Sequence, residues 1–323
     1  MRHAQLLRLT AVAAALSLAV AGCGGAKSDA GSGDTPAAGS KGTVKLAINP
    51  WVGYEANAAV LGVLLEKKLG YTVDKKNLKE EISWQGFETG EVDAIVENWG
   101  HDDLKKTYIA DKKVAVDLGP TGNKGVIGWY VPQWMADKYP DITDGANLNK
   151  YADLFKTSES GAKGQFLAGD PSFVTNDVAL VQNLKLNFKV VYSGSEAAII
   201  KAAQQATAQK KPLLFYFYEP QWLFAKEKYA RVKLPAYTAG CDADPKKVAC
   251  DYPDYTLDKI VSKKFADTNS PAFQLVKNFK WTNDDQNLVA DYITNQGMSA
   301  EAAGQKWVDE HEATWKPWVP ATS

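Results

Sequence analysis

Aromatic residues are the class whose number and placement in this sequence could do chemistry. The chain carries ten Trp, fourteen Tyr and eleven Phe. Several stand where a strand should end and not within a helix: Trp51 behind AINP, Trp99 behind DAIVEN, Trp129 and Tyr130 in GWYVP, and Tyr216, Tyr218 and Trp222 in LLFYFYEPQW. In open α/β sheets small molecules sit beyond the carboxyl ends of the strands, so rings gathered there from distant segments could wall a pocket. The commoner fate of a Trp is core packing. That fate is assigned to Trp84, Trp134, Trp281, Trp307, Trp315 and Trp318.

Other chemistry is sparse. Three His (3, 101, 311) and three Cys (23, 241, 250) leave too few soft ligands for a typical zinc or iron-sulfur site, and no metal or cofactor is expected. The sequence has no G-x-S-x-G elbow, no H-E-x-x-H, no Walker loop and no G-x-G-x-x-G after a strand. Gly125-Val126-Ile127-Gly128 is too short to cradle phosphates and reads as strand punctuation. Lys and Arg total 37 against 38 Asp and Glu, so the basic excess that nucleic-acid binding needs is missing. Carboxylates such as Asp93, Glu97 or Glu219, with aromatics as sugar platforms, leave an extracellular glycoside hydrolase open. An adhesion or scaffold module is a third reading.

The elements that must position these residues alternate. Hydrophobic content of 45% with 23% charged residues is that of a globular chain with a sizeable core, and the length favours two lobes. Thr43 to Asn49 reads as a strand and Gly53 to Leu69 as a helix, with apolar spacing at Ala56, Val60, Val63 and Leu64. A strand is expected around Glu80 to Trp84, a short helix through Phe87, and a strand at Asp93 to Glu97. After residue 125 the pattern repeats: strand at Val126 to Val131, helix at Val174 to Leu186, strand at Phe188 to Tyr192, helix at Ser195 to Gln209, strand at Pro212 to Phe217. Such alternation predicts an α/β fold with parallel strands. Helices follow around Pro271 to Val276, Asp284 to Asn295 and Ala300 to His311, the last capped by Ser299.

The amino terminus is an address. Arg2 and Arg8 precede an apolar run from Leu9 to Ala21, too short for a comfortable membrane span, and small residues lead to Cys23. Residues 1–22 read as an export signal. Val20-Ala21-Gly22-Cys23 resembles a bacterial lipobox, in which the signal is cut before a Cys that then receives lipid. Residues 23–42, rich in Gly, Ser and Ala, read as a flexible tether from lipidated Cys23. The expected location is the outer face of the cell membrane, held by the lipid anchor. There Cys241 and Cys250, the two ends of CDADPKKVAC, are expected to form a disulfide. Removal of the signal leaves Arg231 as the one arginine, which disfavours a receptor that grips amino-acid carboxylates with a forked guanidinium.

An ordered set of segments runs through the exported chain: NPWVGYEANA at 49–58, GEVDAIVENWGH at 90–101, GWYVP at 128–132, FYEPQW at 217–222 and DYPDYTLDK at 251–259. With these, residues 43 to 320 resemble the substrate-binding lipoproteins of ABC importers, in the glycine betaine/choline/proline betaine-binding family. The resemblance implies a two-lobed, periplasmic-binding-protein-like (type II) clamshell with hinge strands and no enzymatic activity. Residues 43–128 and 227–323 would form one lobe, and 129–226 the other. It implies a monomer that closes on a small quaternary ammonium ligand in a box of aromatic faces and delivers it to permease and ATPase subunits. A trimethylammonium group has no N–H to donate, so ring faces are the means of selecting it. At about 2 kcal/mol for each desolvated face, three or four faces supply roughly 6–8 kcal/mol, comparable with the ~8 kcal/mol of micromolar affinity.

By the same resemblance Trp51 and Trp99 match the aromatic positions of the first lobe. GWYVP offers either Trp129 or Tyr130, since strand neighbours face opposite ways, and Tyr218 stands before Glu-Pro where relatives often carry Trp. For the ligand's other end, Glu55 is a candidate acceptor for a choline hydroxyl. The amides of Gly53 and Tyr54, opening a helix, could instead receive a carboxylate, with His101 donating as well. Ser172, Thr175 and Asn176 in GDPSFVTND are further donors or a helix cap. The balance leans to a betaine, with a choline or carnitine receptor of the same fold as the alternative.

Overall fold

The computed structural model describes residues 40–173 and 175–321. The export signal, Cys23 and nearly all of the tether therefore lie outside the described residues. Among those described, no helix is long and apolar enough to cross a membrane.

Strand β1 (Thr43–Ile48) pairs in parallel with β2 (Thr72–Asn77) and β3 (Ala94–Asn98). Between β1 and β2 runs helix α1 (Val52–Val63), of which every residue but Glu55 is buried. A helix apolar on all sides belongs inside. It is covered by α6 (Asn283–Thr294) and α7 (Ala300–Glu310). Glu80 to Trp84, expected as a strand, instead opens helix α2 (Glu80–Thr89). Two acids at its amino end complement the helix dipole, Ser83, Trp84 and Phe87 fall on one buried face, and Gly90 in the left-handed region ends it. The strand is β2, eight residues earlier, whose TVDKKN has too few apolar residues to be seen by alternation.

The sheet then changes character. Strand β4 (Ala115–Pro132) is 18 residues long. Its first part, Ala115 to Val126, pairs antiparallel with β9 (Asp254–Ser262), and its last part, Val126 to Tyr130, pairs with β7 (Phe215–Glu219). Strands β5 (Gly164–Ala168) and β6 (Phe188–Tyr192) continue outward in parallel, and β8 (Tyr229–Val232) pairs with the end of β4. The order is β2-β1-β3-β9-β4-β7-β5-β6. Two parallel α/β units are thus joined through the antiparallel β4 and β9 at the middle, as an α/β clamshell with hinge strands requires.

Helix α3 (Asp177–Asn183) is shorter than expected, and α4 (Glu196–Gln209) starts at Ser195, whose side chain accepts from the Ala198 amide. The carboxyl-terminal helices are α5 (Pro271–Asn278), α6 and α7. Each has a side-chain cap, from Ser270, Thr282 and Ser299 respectively. The expectation gave residues 227–323 to the first lobe. The hydrogen bonds of residues 229–252 run elsewhere: β8 lies on β4, Lys233 exchanges bonds with Thr143 and Gly145, and Asn183 donates to the carbonyls of Lys246 and Val248. Strand β9 then pairs with β3 and with β4.

Candidate functional site: an aromatic cleft

A cleft of about 770 Å³ lies beyond the strand ends and is lined from both halves of the sheet. Trp51 enters it from the turn between β1 and α1, and Trp99 from the end of β3. Tyr216 and Tyr218 come from β7, two residues apart and so on one face of the strand. Phe173 comes from the loop after β5.

These five rings form a belt. Trp51 meets Phe173 edge to face at 5.6 Å between centroids, Phe173 lies 6.4 Å from Tyr216, Tyr216 lies 6.1 Å from Tyr218, and Tyr218 meets Trp99 edge to face at 5.5 Å. A carboxylate closes it: Oε1 of Glu97 accepts from Trp51 Nε1 at 2.8 Å and from Trp99 Nε1 at 2.9 Å. Its Oε2 accepts from Asn57 Nδ2 at 2.6 Å and Gln286 Nε2 at 3.0 Å. The two indoles are therefore fixed by one group, which is itself held by α1 and α6. Gly53 makes room for this: a Cβ there would come within 2.4 Å of Gln286 Nε2. Gly125 does the same under Trp99, whose ring a Cβ would approach to 2.6 Å.

Electrostatically the site is acidic. Burial pushes the Glu97 carboxyl up to about 7 against the indole hydrogen bonds, with the charge of Glu196 adding to the rise. Glu196, the first residue of α4, is likewise raised to about 7 by burial. Its buried carboxylate bridges to α1: Oε2 accepts from the Val52 amide at 2.8 Å, and Oε1 from the Tyr218 hydroxyl and from Gln221 Nε2 at 2.5 Å. His101 Nε2 lies 2.9 Å from Glu80 Oε1. Burial lowers the His101 pKa, but Glu80, Asp103 and Asp258 together outweigh it and the net shift is upward.

Of the residues expected at the site, Trp51, Trp99, Tyr218, His101 and Asn176 line the cleft. Trp129 and Tyr130 do not. Trp129 is fully buried, 4.2 Å from the Phe166 ring, and donates to Asp177 Oδ1 at 2.7 Å. Tyr130 packs on Phe215 and Phe224. Ile127, on the face of β4 that Trp129 shares, takes the cleft position. Gly53 and Tyr54 lie behind the wall, where Tyr54 Oη accepts from the Val96 amide at 3.2 Å. Ser172 is turned to Asp170, with both its amide and its hydroxyl bonded to that carboxylate. Cys241 and Cys250 are joined, with Cα atoms 6.4 Å apart, and their loop brings Asp242, Ala243 and Pro245 to the cleft mouth.

Tyr216, one of the strand-end aromatics of LLFYFYEPQW, lines the cleft beside Tyr218, and so do Phe173, Tyr252 and Tyr255, which the sequence does not single out. Phe173 stands in the polar GDPSFVTND with no strand pattern around it. The hydrolase reading loses its acids. Glu97 is occupied by the indoles, Asp93 Oδ2 accepts from the Lys45 amide at 2.9 Å, Glu219 lies near Arg231, and none of the three lines the cleft.

Residues 42–310 match the family model described as the substrate binding domain of ABC-type glycine betaine transport systems. The chain is 26% identical over 127 residues to the glycine betaine/carnitine transport binding protein GbuC of Listeria monocytogenes serotype 1/2a, a match covering 39% of this chain and 38% of that protein's length. Among solved structures it resembles lactococcal OpuAC in its closed, liganded conformation complexed with glycine betaine, at TM-score 0.68 and 24% identity, covering 87% of this chain and 100% of that one. It also resembles an ABC-transporter choline binding protein in complex with choline, at TM-score 0.68 and 18% identity over 85% of this chain and 91% of that one. A third is the glycine/betaine/L-proline-binding protein ProX of Borrelia burgdorferi, at TM-score 0.69 and 19% identity, covering 86% and 97% of the two chains. At these identities the likeness of the three structures is one of fold.

Proposed function

Since the chain belongs to the family of substrate-binding domains of ABC-type glycine betaine transport systems, binding domains and not enzymes, we propose that it is the extracytoplasmic receptor of an importer and captures a small quaternary ammonium compound between its two halves. The observation that carries this reading is the belt of Trp51, Phe173, Tyr216, Tyr218 and Trp99, with both indoles fixed on Glu97. A permanently cationic headgroup without N–H is attracted to ring faces, and methyl burial adds to that attraction. Part of the sum is lost to ordering. Tyr218 supplies one of the faces, and its hydroxyl is held by Glu196.

In the same proposal the chain crosses between lobes at β4 and β9, so that residues 43 to about 125 with 254–321 close against residues 126–253. A permease and an ATPase receive the loaded receptor. Cys23 carries the lipid that keeps the receptor, as a monomer, at the membrane surface.

The test is calorimetry with glycine betaine, choline, carnitine and proline betaine on the wild type and on Trp51→Ala and Trp99→Ala. Each substitution is expected to weaken binding at least a hundredfold with little change in far-UV circular dichroism. Near wild-type affinity in both variants would defeat the reading.

A further inference from the structure

Glu196 opens α4 behind its cap Ser195, and it is buried without lining the cleft. Its carboxyl group nevertheless meets two residues of the belt's frame. Oε1 is bonded to the hydroxyl of Tyr218, whose ring lines the cleft and meets Trp99 edge to face. Oε2 accepts at 2.8 Å from the amide of Val52, the residue after Trp51 and 144 positions away in the chain. Val52 is the first residue of α1, where an amide has no partner inside its own helix, and it is buried, so an acceptor must come from elsewhere. One side chain thereby ties the Trp51 corner of the belt to the Tyr218 corner.

The tie does not depend on charge. An ionised carboxylate accepts from Val52, Tyr218 and Gln221 together. A neutral one still accepts from Val52 through Oε2 and gives its Oε1 proton to the Tyr218 oxygen. What the arrangement demands is reach. We infer that Glu196 is a positioning residue that clasps the closed receptor: spanning from α4 past the Tyr218 hydroxyl to the first amide of α1, it holds the two sides of the aromatic belt together and so sets how long a ligand is kept. This rests on the reading that residues 43 to about 125 close against residues 126–253 on a quaternary ammonium compound. In that closure the Glu196–Tyr218 bond lies within one half and stands ready, and the Val52 amide is the part that arrives. Opening must break a buried hydrogen bond, whereas entry of the ligand precedes it, so the clasp acts on release and not on association.

The test is stopped-flow binding to the full chain, with whichever of glycine betaine, choline, carnitine and proline betaine the wild type holds most tightly as the probe. Glu196→Gln keeps the span and drops the charge. Its amide can donate to Tyr218, and Gln221 can turn over to offer its Oε1, which is buried without a partner. Glu196→Asp keeps the charge, and the acid that favours a helix start, but withdraws the carboxyl by one methylene. The Asp variant is expected to release the probe about tenfold faster, the scale of one hydrogen bond, with association changed less than about threefold. The Gln variant should release it within about threefold of the wild type. A role of Glu196 through its charge alone predicts the reverse order. Val52→Pro reaches the same bond from the other side: the first helical position accepts Pro, Trp51 has the extended backbone that must precede it, and the ring removes the donor and displaces the acceptor. It should release the probe at least as fast as Glu196→Asp, and it decides the matter if that variant does not fold. Unchanged release in Glu196→Asp, or release from Glu196→Gln as fast as from Glu196→Asp, would overturn the clasp while wild-type binding left the receptor reading intact. Binding of none of the four compounds by the wild type would sink the receptor reading and the clasp with it.

Discussion

Glu97 Oε1 accepts from two indoles at once, and this makes a buried acid the fixed point of the cleft. The cost of burying the acid is visible in its proton affinity. Glu97 and Glu196 are each raised to about 7 from 4.5, and Asp177 to about 6 from 3.8, all chiefly by burial. The protonated forms fit the native state better than the ionised ones. The stability they contribute is therefore whole below the unfolded values and is lost as pH climbs through the folded ones. The upward shift of His101 has the same sign. The ligand-free protein should accordingly melt at a higher temperature at pH 5 than at pH 8, and Glu97→Gln should flatten that dependence; a midpoint that rises with pH equally in both proteins would contradict it. A bound cation favours the ionised acid, so binding near neutral pH should release protons.

At the scale of elements, β4 decides which aromatics reach the cleft. The strand presents Ile127 where the sequence pointed to Trp129 or Tyr130, because the cleft lies over the part of β4 nearest its crossing with β9. Two residues further on, Trp129 is already inside the second half, where it holds Asp177, and Asp177 Oδ1 in turn accepts from the Tyr252 hydroxyl at 2.9 Å. Trp129→Phe should therefore lower stability by about 1–3 kcal/mol, the scale of a buried acceptor losing its donor. Its effect on ligand affinity should be far smaller than that of Trp99→Ala. Chemical denaturation and calorimetry on the same samples would separate the two, and a hundredfold loss of affinity in Trp129→Phe would put its ring back into the cage.

That contrast marks what the sequence could show. Trp51 and Trp99 were legible because each follows a strand with clear apolar patterning, and the end of such a strand is where a cleft forms. Helices α4 and α7 were legible from cap and periodicity. Strand β2 was not, because TVDKKN alternates too weakly. Glu196 was not, because nothing in Ser195-Glu196 beyond a helix start tells that its carboxylate crosses to another element 144 residues away in sequence.

In the whole molecule the chain passes between halves only along β4 and β9 within the described sheet, and those strands are paired with each other, Lys124 with Thr256 and Val126 with Asp254. Residues 229–252 are bonded to the end of β4 and to Asn183, and residues of the loop tied by Cys241 and Cys250 line the cleft. Replacing both cysteines by Ser should leave the belt in place but loosen its rim. The expected result is faster ligand release in stopped-flow measurements, roughly tenfold, the scale that 1.4 kcal/mol represents, with association little changed; an unaltered release rate would assign the loop a role in folding alone. Trp51 and Trp99 also make the molecule readable by light. Their indoles share one carboxyl oxygen of Glu97, and the belt they belong to is completed only by rings from the opposite half, so a cation settling among them alters the field around two emitters together. Ultraviolet emission thus supplies an unlabelled gauge of occupancy, built into the same atoms that do the holding.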